Sequence, residues 1–152
     1  MATIGFNKKQ YFFDRQIVID AIGRAAAKNL SRAGSFIRTS ARSSLRRRKK
    51  ISSPGEPPSV HAQDRVATLK NIWFVFDPAN RSVVVGPLKL NGSRLEGSDR
   101  QTVPSLHEFG GTAVVGQRKR KRRAKYAPRP FIGPAMEREL PKFAGLWANS
   151  VK

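Results

Sequence analysis

The sequence has no cysteine among its 152 residues. A disulfide framework and a thiolate metal site are therefore excluded, and a reducing cytosol suits the folding of such a chain. Long apolar runs are missing as well, since none approaches the ~20 residues that a membrane-spanning helix needs. The apolar stretch Ile17-Val18-Ile19 is flanked by aspartates and is too short for a signal peptide. We therefore expect a soluble chain that does not enter a membrane.

Acidic residues are also scarce. The chain has 10 aspartates and glutamates against 30 lysines and arginines, which leaves a formal net charge of +20. Such molecules repel one another unless an acidic surface lies close by, so we expect a negatively charged partner. Hydrophobic residues make up 39% of the chain and are absent from several basic and polar stretches. This composition predicts one domain, residues 1–152, with a small core and long arms.

Catalytic patterns are missing too. His107 precedes Glu108, but no second histidine follows at helical spacing, so the metalloprotease pattern is incomplete. His61 has no evident acidic partner nearby other than Asp64, so a role as general base is poorly supported. No serine occupies a Gly-x-Ser-x-Gly elbow, and the glycine pair at 110–111 precedes a predicted strand, whereas a phosphate-cradling loop follows one. We therefore predict no catalytic residue, no cofactor site and no metal ligand, and we expect that the protein is not an enzyme.

Residues 69–87 form the stretch around which the rest of the chain is organised. Two runs rich in β-branched and aromatic residues are joined by turn-forming residues, which predicts a β-hairpin. In the first strand Phe74 shares one face with Ile72 and Phe76, while Trp73 and Val75 share the other. Since both faces are apolar, we expect a helix to cover one of them and a neighbouring element or another subunit to cover the other.

The predicted turn of this hairpin is short. Asp77 and Pro78 begin the reversal of the chain, and Asn80 is a residue that tolerates a positive φ. Pro87 ends the second strand because it has no backbone N–H to donate to the ladder.

Residues 14–45 show the strongest secondary-structure pattern of the chain, a helical period. Apolar residues recur at steps of three and four, and Asp14 is a suitable N-cap. The resulting amphipathic helix is expected to cover the hairpin. Residues 1–13 carry aromatic side chains among lysines and are assigned to a short arm packed on a neighbour. The apolar stripe of the helix comprises Val18, Ala21, Ile22, Ala25, Leu30, Ala33, Ile37, Ala41 and Leu45.

The remaining segments complete an α+β fold, in which the long N-terminal helix packs on a small antiparallel sheet. Residues 46–64 are basic and then proline-rich, which is typical of either a fixed strap or a flexible linker. Residues 65–133 are predicted to hold β-hairpins with long loops, including strands at 112–115 and 125–127 after a helical turn that ends at Gly110. Residues 134–152 are predicted to form a C-terminal helix that Pro141 kinks or restarts.

Two basic runs are predicted to contact a partner or DNA. Such runs bind phosphate backbones through counterion release, but they also insert into acidic protein surfaces, and both alternatives remain open. Base-specific reading is not indicated, because the chain has no helix-turn-helix, zinc finger or RNP-type strand. The residues are Arg46, Arg47, Arg48, Lys49, Lys50, Arg118, Lys119, Arg120, Lys121, Arg122 and Arg123.

Several short motifs, taken in order over residues 14–150, resemble a known pattern. Each motif is weak alone, but their order and spacing are similar to those of the virion-morphogenesis proteins of tailed bacteriophages, the tail-completion or neck proteins of the head–tail junction. The resemblance marks structural residues in four segments: Pro54, Gly55, Pro57, Pro58; Gly86, Pro87; Glu108, Phe109, Gly110; and Arg129, Pro130, Phe131.

The resemblance implies a structural subunit without catalytic residues or cofactor. It implies a homo-oligomeric ring, six-fold or twelve-fold, located in the neck or tail of a virion and assembled in the host bacterial cytoplasm. The ring would contact portal or head-completion proteins on one side and tail-terminator or tail-tube proteins on the other, around a channel that carries DNA. A second hypothesis, which follows from charge alone, is a small basic nucleic-acid-binding protein of ribosomal or nucleoid type.

Overall fold

The structure is a computed structural model that describes residues 15–61, 68–88, 90, 102–115 and 122–150. It confirms the α+β fold class. The elements in chain order are α1 (Arg15–Ser44), β1 (Ile72–Asp77), β2 (Ser82–Pro87), α2 (Val103–Phe109), β3 (Gly111–Val115), β4 (Arg122–Tyr126), α3 (Gly133–Glu139), a 3₁₀ turn (Leu140–Lys142) and α4 (Phe143–Trp147).

Helix α1 confirms the predicted amphipathic helix, within one residue at each end. The side chains on its buried face are mostly small, which lets other elements approach the helix axis closely. The first hairpin and α3 both pack against this face. The predicted N-cap Asp14 and the predicted arm 1–13 lie outside the described residues.

The first hairpin confirms the predicted faces. β1 and β2 are antiparallel, with Phe74 opposite Val85 and Val75 opposite Val84. Its inner face lies on α1 at Gly34, where a Cβ would come 2.7 Å from Val83 Cγ2 and 3.1 Å from Phe74 Cδ2. Glycine at position 34 is therefore what permits this close packing of helix and hairpin.

The turn of this hairpin differs from the prediction. The Asp77 carboxylate accepts hydrogen bonds from the backbone N–H groups of Ala79 and Asn80. A further hydrogen bond from the Asn80 side chain is the main cause that lowers the pKa of Asp77. The positive φ of this turn is at Arg81, with φ 47°, and not at Asn80, the residue that the sequence marks as tolerating one. The Asn80 side chain is instead hydrogen-bonded to the Asp77 carboxylate.

The second hairpin is a separate two-stranded sheet. β3 and β4 are antiparallel, with Ala113 opposite Ala124, and they do not join β1 and β2. The fourth strand begins earlier than predicted and includes Arg122 and Arg123. Helix α2 precedes this hairpin, with Thr102 as its N-cap, and ends before Gly110.

The C-terminal segment is divided by Pro141, as predicted. The 3₁₀ turn at Leu140–Lys142 separates α3 from α4. The predicted extent of 134–152 was wrong, because α4 ends at Trp147 and a turn follows, in which Asn149 has a φ of 55°. The main core comprises Ile37, Ala41, Leu45, Leu69, Ile72, Phe131 and Ala135, so it joins α1, the first hairpin and α3.

Candidate interaction surfaces

Three of the predicted motif segments meet at a structural junction. The carboxylate of Glu108 accepts hydrogen bonds from the backbone N–H groups of Phe131 at 2.9 Å, Ile132 at 3.1 Å and Gly133 at 2.7 Å. Helix α3 has no side-chain cap of its own. Glu108, which is remote in sequence, therefore caps α3 and supplies a negative charge at the positive end of the helix.

Arg129 joins the proline-rich segment to the same junction. Its Nε donates to the carbonyl of Ser52 at 3.0 Å, and its backbone N–H donates to the carbonyl of His107 at 2.6 Å. The N–H of Gly55, which has a φ of 84°, donates to the carbonyl of Pro128. These contacts hold the segment against the chain between β4 and α3.

Gly110 permits the close approach of two segments at the junction. Its φ is 72°, and a Cβ at this position would come 2.9 Å from the carbonyl oxygen of Tyr126 and 3.1 Å from Pro128. A glycine is therefore required here by both conformation and space. Next to it, Phe131 is fully buried, whereas the Phe109 side chain is 79% exposed.

The other motif residues lie around this junction in different environments. Pro87 and Phe109 line a shallow apolar pocket of about 320 Å³ with Phe131. Gly86 pairs with Trp73 on the first hairpin and has open space around it. Pro58 is buried, Pro57 and Pro130 are half-buried, and Pro54 is exposed.

His107 is a half-buried residue of the junction. Its Nδ1 is buried without a hydrogen-bond partner in the described part of the chain. Burial, with a smaller contribution from the positive charge of Arg129, lowers the pKa of His107. The described residues contain no group of three or more His, Cys, Asp or Glu side chains placed to hold a metal ion.

The segment after α1 is a folded strap over residues 46–61. The N–H of Val60 donates to the carbonyl of Arg46, and the N–H of Arg48 donates to the Ser59 hydroxyl at 2.9 Å. The guanidinium of Arg48 also forms an ion pair with Glu56 at 2.6 Å. Of the two alternatives in the sequence, these contacts favour the fixed strap. Residues 62–64 of the predicted segment lie outside the described residues.

The predicted contact residues of the two basic runs are therefore not equivalent. Arg46, Arg47, Lys49 and Lys50 are exposed, whereas Arg48 is committed to its ion pair. In the second run, Arg122 and Arg123 are exposed on β4, and Arg118, Lys119, Arg120 and Lys121 lie outside the described residues.

The outward face of the first hairpin is apolar and exposed. Trp73 is 58% exposed, and Val75 and Val84, which lie opposite each other, are each 66% exposed. We call these three residues the hairpin strip. The predicted helix covers the inner face of the hairpin, and no described element covers the strip.

A third group of cations, which the sequence did not predict, lies on α1. Arg24, Lys28 and Arg32 are exposed and follow one another at four-residue spacing. They line a groove of about 420 Å³ between α1 and the turn after α4. These cations were missed because a run of adjacent charges is visible in a sequence, whereas this row becomes contiguous only in a helix. The four-residue spacing was the available signal.

Comparison with protein-family models, with curated proteins and with solved structures finds no match to this chain. The resemblance to phage neck proteins therefore stays a prediction. Among the described helices, none is both long enough and apolar enough to cross a membrane. The arrangement found here, an apolar strip, a folded strap and rows of exposed cations around a small core, is suited to binding.

Proposed function

We propose that this protein is a structural, non-enzymatic subunit of a tailed-phage virion, a tail-completion or neck component that forms a ring joining head to tail around the DNA channel. The hairpin strip is the observation that carries the proposal. Contiguous large apolar side chains are rarely left exposed on soluble monomers, and they mark surfaces that bind another protein. The strip is on the same element as the core face, so the hairpin is positioned rigidly for such a contact.

A neighbouring copy of the chain is the proposed occupant of the strip. A stable interface buries about 800 Å² per partner, with an apolar centre and a polar rim. The strip supplies the centre, and the polar turn at Asp77 and the exposed Arg81 supply part of the rim. When the surface that receives the strip lies elsewhere on the neighbour, the contact is heterologous, and it forms a ring where the rotation from one subunit to the next closes. The ring is proposed to be six-fold or twelve-fold.

The cationic segments are proposed to contact the other components of the neck. Portal or head-completion proteins would lie on one side of the ring, and tail-terminator or tail-tube proteins on the other. The exposed strap residues Arg46, Arg47, Lys49 and Lys50 are assigned to acidic protein surfaces, because the strap is held in one conformation by its internal hydrogen bonds. The run 118–123 is assigned to the same partners or to DNA in the channel.

Imaging of virus particles whose genome encodes this chain tests the proposal. Mass spectrometry of purified particles should detect the chain, and electron microscopy should show it as a ring at the head–tail junction. Its absence from the particles, or its location away from the neck, would overturn the proposal.

Variants of the strip test the role of its apolar face. Trp73→Ser combined with Val75→Thr and Val84→Thr should leave the isolated chain folded, since these side chains are exposed, but should prevent its incorporation into particles. Ile51→Thr is the control, because Ile51 is 85% exposed and belongs to the strap and not to the hairpin. Equal incorporation of the triple variant and the control would contradict the proposed role.

The second candidate function is a small nucleic-acid-binding protein of ribosomal or nucleoid type. The net charge of +20 favours it. A salt titration with short duplex DNA distinguishes the two functions, by comparing the wild type with a variant in which residues 118–123 are neutral. Tight binding by the isolated chain, with a steep salt slope that the variant loses, supports the second function.

A further inference from the structure

The groove beside α1 has polar or charged side chains on both of its walls. Arg24, Lys28 and Arg32 form one of its walls, and Asn149 and Ser150 contribute to the other. Because an α-helix rises 1.5 Å per residue, the three cations are spaced about 6 Å apart along the wall. Asn149 shapes the second wall through its left-handed conformation, with a φ of 55°.

Among the described residues, none of the three cations of the groove forms an ion pair. The ion pairs there join other side chains, Arg48 with Glu56 and Lys142 with Glu139. Like charges at four-residue spacing destabilise a helix. The row is therefore unfavourable for the free protein and becomes favourable when an anion lies in the groove.

Asn29 provides an independent indication of a ligand. It lines the groove and also a second cavity of about 600 Å³ between α1, β2 and α4; it is only 3% exposed, and its Nδ2 has no hydrogen-bond partner in the described part of the chain. A buried amide donor without an acceptor is costly, so such groups are rare in folded proteins. An acceptor oxygen of a ligand in the groove would complete its hydrogen bonding.

We propose that this groove binds the phosphodiester backbone of a nucleic acid. Its lining combines arginine, lysine, asparagine and serine side chains, which are the groups that proteins use for phosphate contacts. Arginine is suited to this task because its planar fork donates two parallel hydrogen bonds to a phosphate. An acidic protein segment fits less well, since protein interfaces are centred on aromatic anchors and are depleted of lysine, and this lining has no aromatic residue. The same lack of an aromatic residue means that bases are not stacked or read here.

This site differs from the basic runs and does not depend on ring formation. It is formed by α1 and the turn after α4 within one copy of the chain. The isolated chain is therefore sufficient for its test, whereas the ring is tested in particles, so the two proposals fail separately.

The test is a fluorescence anisotropy titration with a labelled single-stranded oligonucleotide and with the matching duplex. The groove variant combines Arg24→Gln, Lys28→Gln and Arg32→Gln. The control variant combines Arg42→Gln, Lys70→Gln and Lys125→Gln, which removes the same charge from exposed residues outside the groove. The two probes distinguish a single strand from a duplex as the source of the backbone.

The affinity of the groove variant for the oligonucleotide should depend less on salt concentration, because the variant lacks the three cations that contact phosphate. Three contacts to a single strand contribute about 2 to the log–log salt slope, or roughly a 20-fold change in affinity between about 50 and 200 mM salt. The control variant should retain most of the slope. If the salt slope decreases equally in the two variants, the proposal is wrong, because binding then depends on net charge alone.

Two further measurements complete the test. Asn29→Ala should weaken oligonucleotide binding without lowering the Tm of the free chain, since Nδ2 loses no hydrogen bond within the protein. A lower Tm with unchanged binding would contradict the role of Asn29. A poly-glutamate peptide is the competing probe: if the groove variant loses binding to it and keeps binding to both nucleic acids, the site belongs to an acidic protein and the proposal is wrong.

Discussion

Replacing Glu108 by alanine should destabilise the protein more than its partly exposed position suggests. The substitution removes the acceptor of three backbone hydrogen bonds, from Phe131, Ile132 and Gly133. A hydrogen bond to a charged group contributes about 1.5–3 kcal/mol, but the N–H groups nearest to solvent recover part of this by binding water. Loss of a helix cap alone costs about 0.5–2 kcal/mol. We therefore expect a loss of about 3 kcal/mol from the free energy of unfolding.

Urea denaturation measures this change. For a chain of this length, a loss of about 3 kcal/mol corresponds to a decrease in Tm of roughly 10 °C. The denaturation midpoint should fall with an unchanged m-value, since the folded core keeps its burial. Glu137→Ala is the matched control, because Glu137 is exposed on the same helix α3, and its effect should stay within about 0.5 kcal/mol.

Two outcomes would contradict the capping role of Glu108. If Glu108→Ala and Glu137→Ala have equal effects, the carboxylate at position 108 does not cap α3, and the motif residues 108–110 and 129–131 need another explanation. A large decrease in the m-value of the Glu108→Ala variant would also contradict it, because the substitution would then change more than one end of a helix.

Three further predictions concern packing, backbone strain and pH. Gly34→Ala should lower the free energy of unfolding by about 1–3 kcal/mol, because the added methyl group overpacks against the hairpin. Gly23→Ala, which has open space around it, should raise the free energy of unfolding by about 0.5–1 kcal/mol. Equal effects of the two substitutions in thermal unfolding would contradict this. Arg81→Gly should relieve the left-handed residue of the turn and raise the Tm slightly or leave it unchanged, and a lower Tm would show that the guanidinium has a structural role. Burial and a neighbouring arginine lower the pKa of His107 in the folded protein. As the pH decreases below about 6.5, the unfolded chain therefore binds a proton at this residue before the folded chain does, and the free energy of unfolding falls. NMR titration should show the pKa of His107 below the ordinary value of a histidine, and His107→Gln should remove that part of the pH dependence of the free energy of unfolding.

At both proposed surfaces, the isolated chain would gain free energy by binding another molecule. The hairpin strip leaves large apolar side chains exposed, and the groove beside α1 holds exposed cations and a buried amide that has no hydrogen-bond partner among the described residues. Exposed apolar area and an unpaired buried amide both cost free energy, which a bound partner would recover. We propose a neighbouring subunit as the partner of the strip and a nucleic acid backbone as the partner of the groove.

The elements with strong local signals could be predicted from the sequence. The three- and four-residue period of α1 and the alternation of Ile72, Phe74 and Phe76 follow from the geometry of a helix and a strand. Pro141 was expected to interrupt the C-terminal helix for an equally local reason, since it cannot donate the next hydrogen bond. The position of the left-handed residue was not predictable, because it depended on a side-chain hydrogen bond within the turn.

The sequence by itself determined the charge, the helix, the first hairpin and the apolar character of both hairpin faces, because each depends on residues close together in the chain. Only the tertiary structure decided which hairpin face is covered, that Glu108 caps a helix more than 20 residues away, and that the buried amide of Asn29 lies beside a row of cations without a hydrogen-bond partner among the described residues. These are outcomes of packing between distant segments, where distance and burial, which no local pattern encodes, determine the energy of each group.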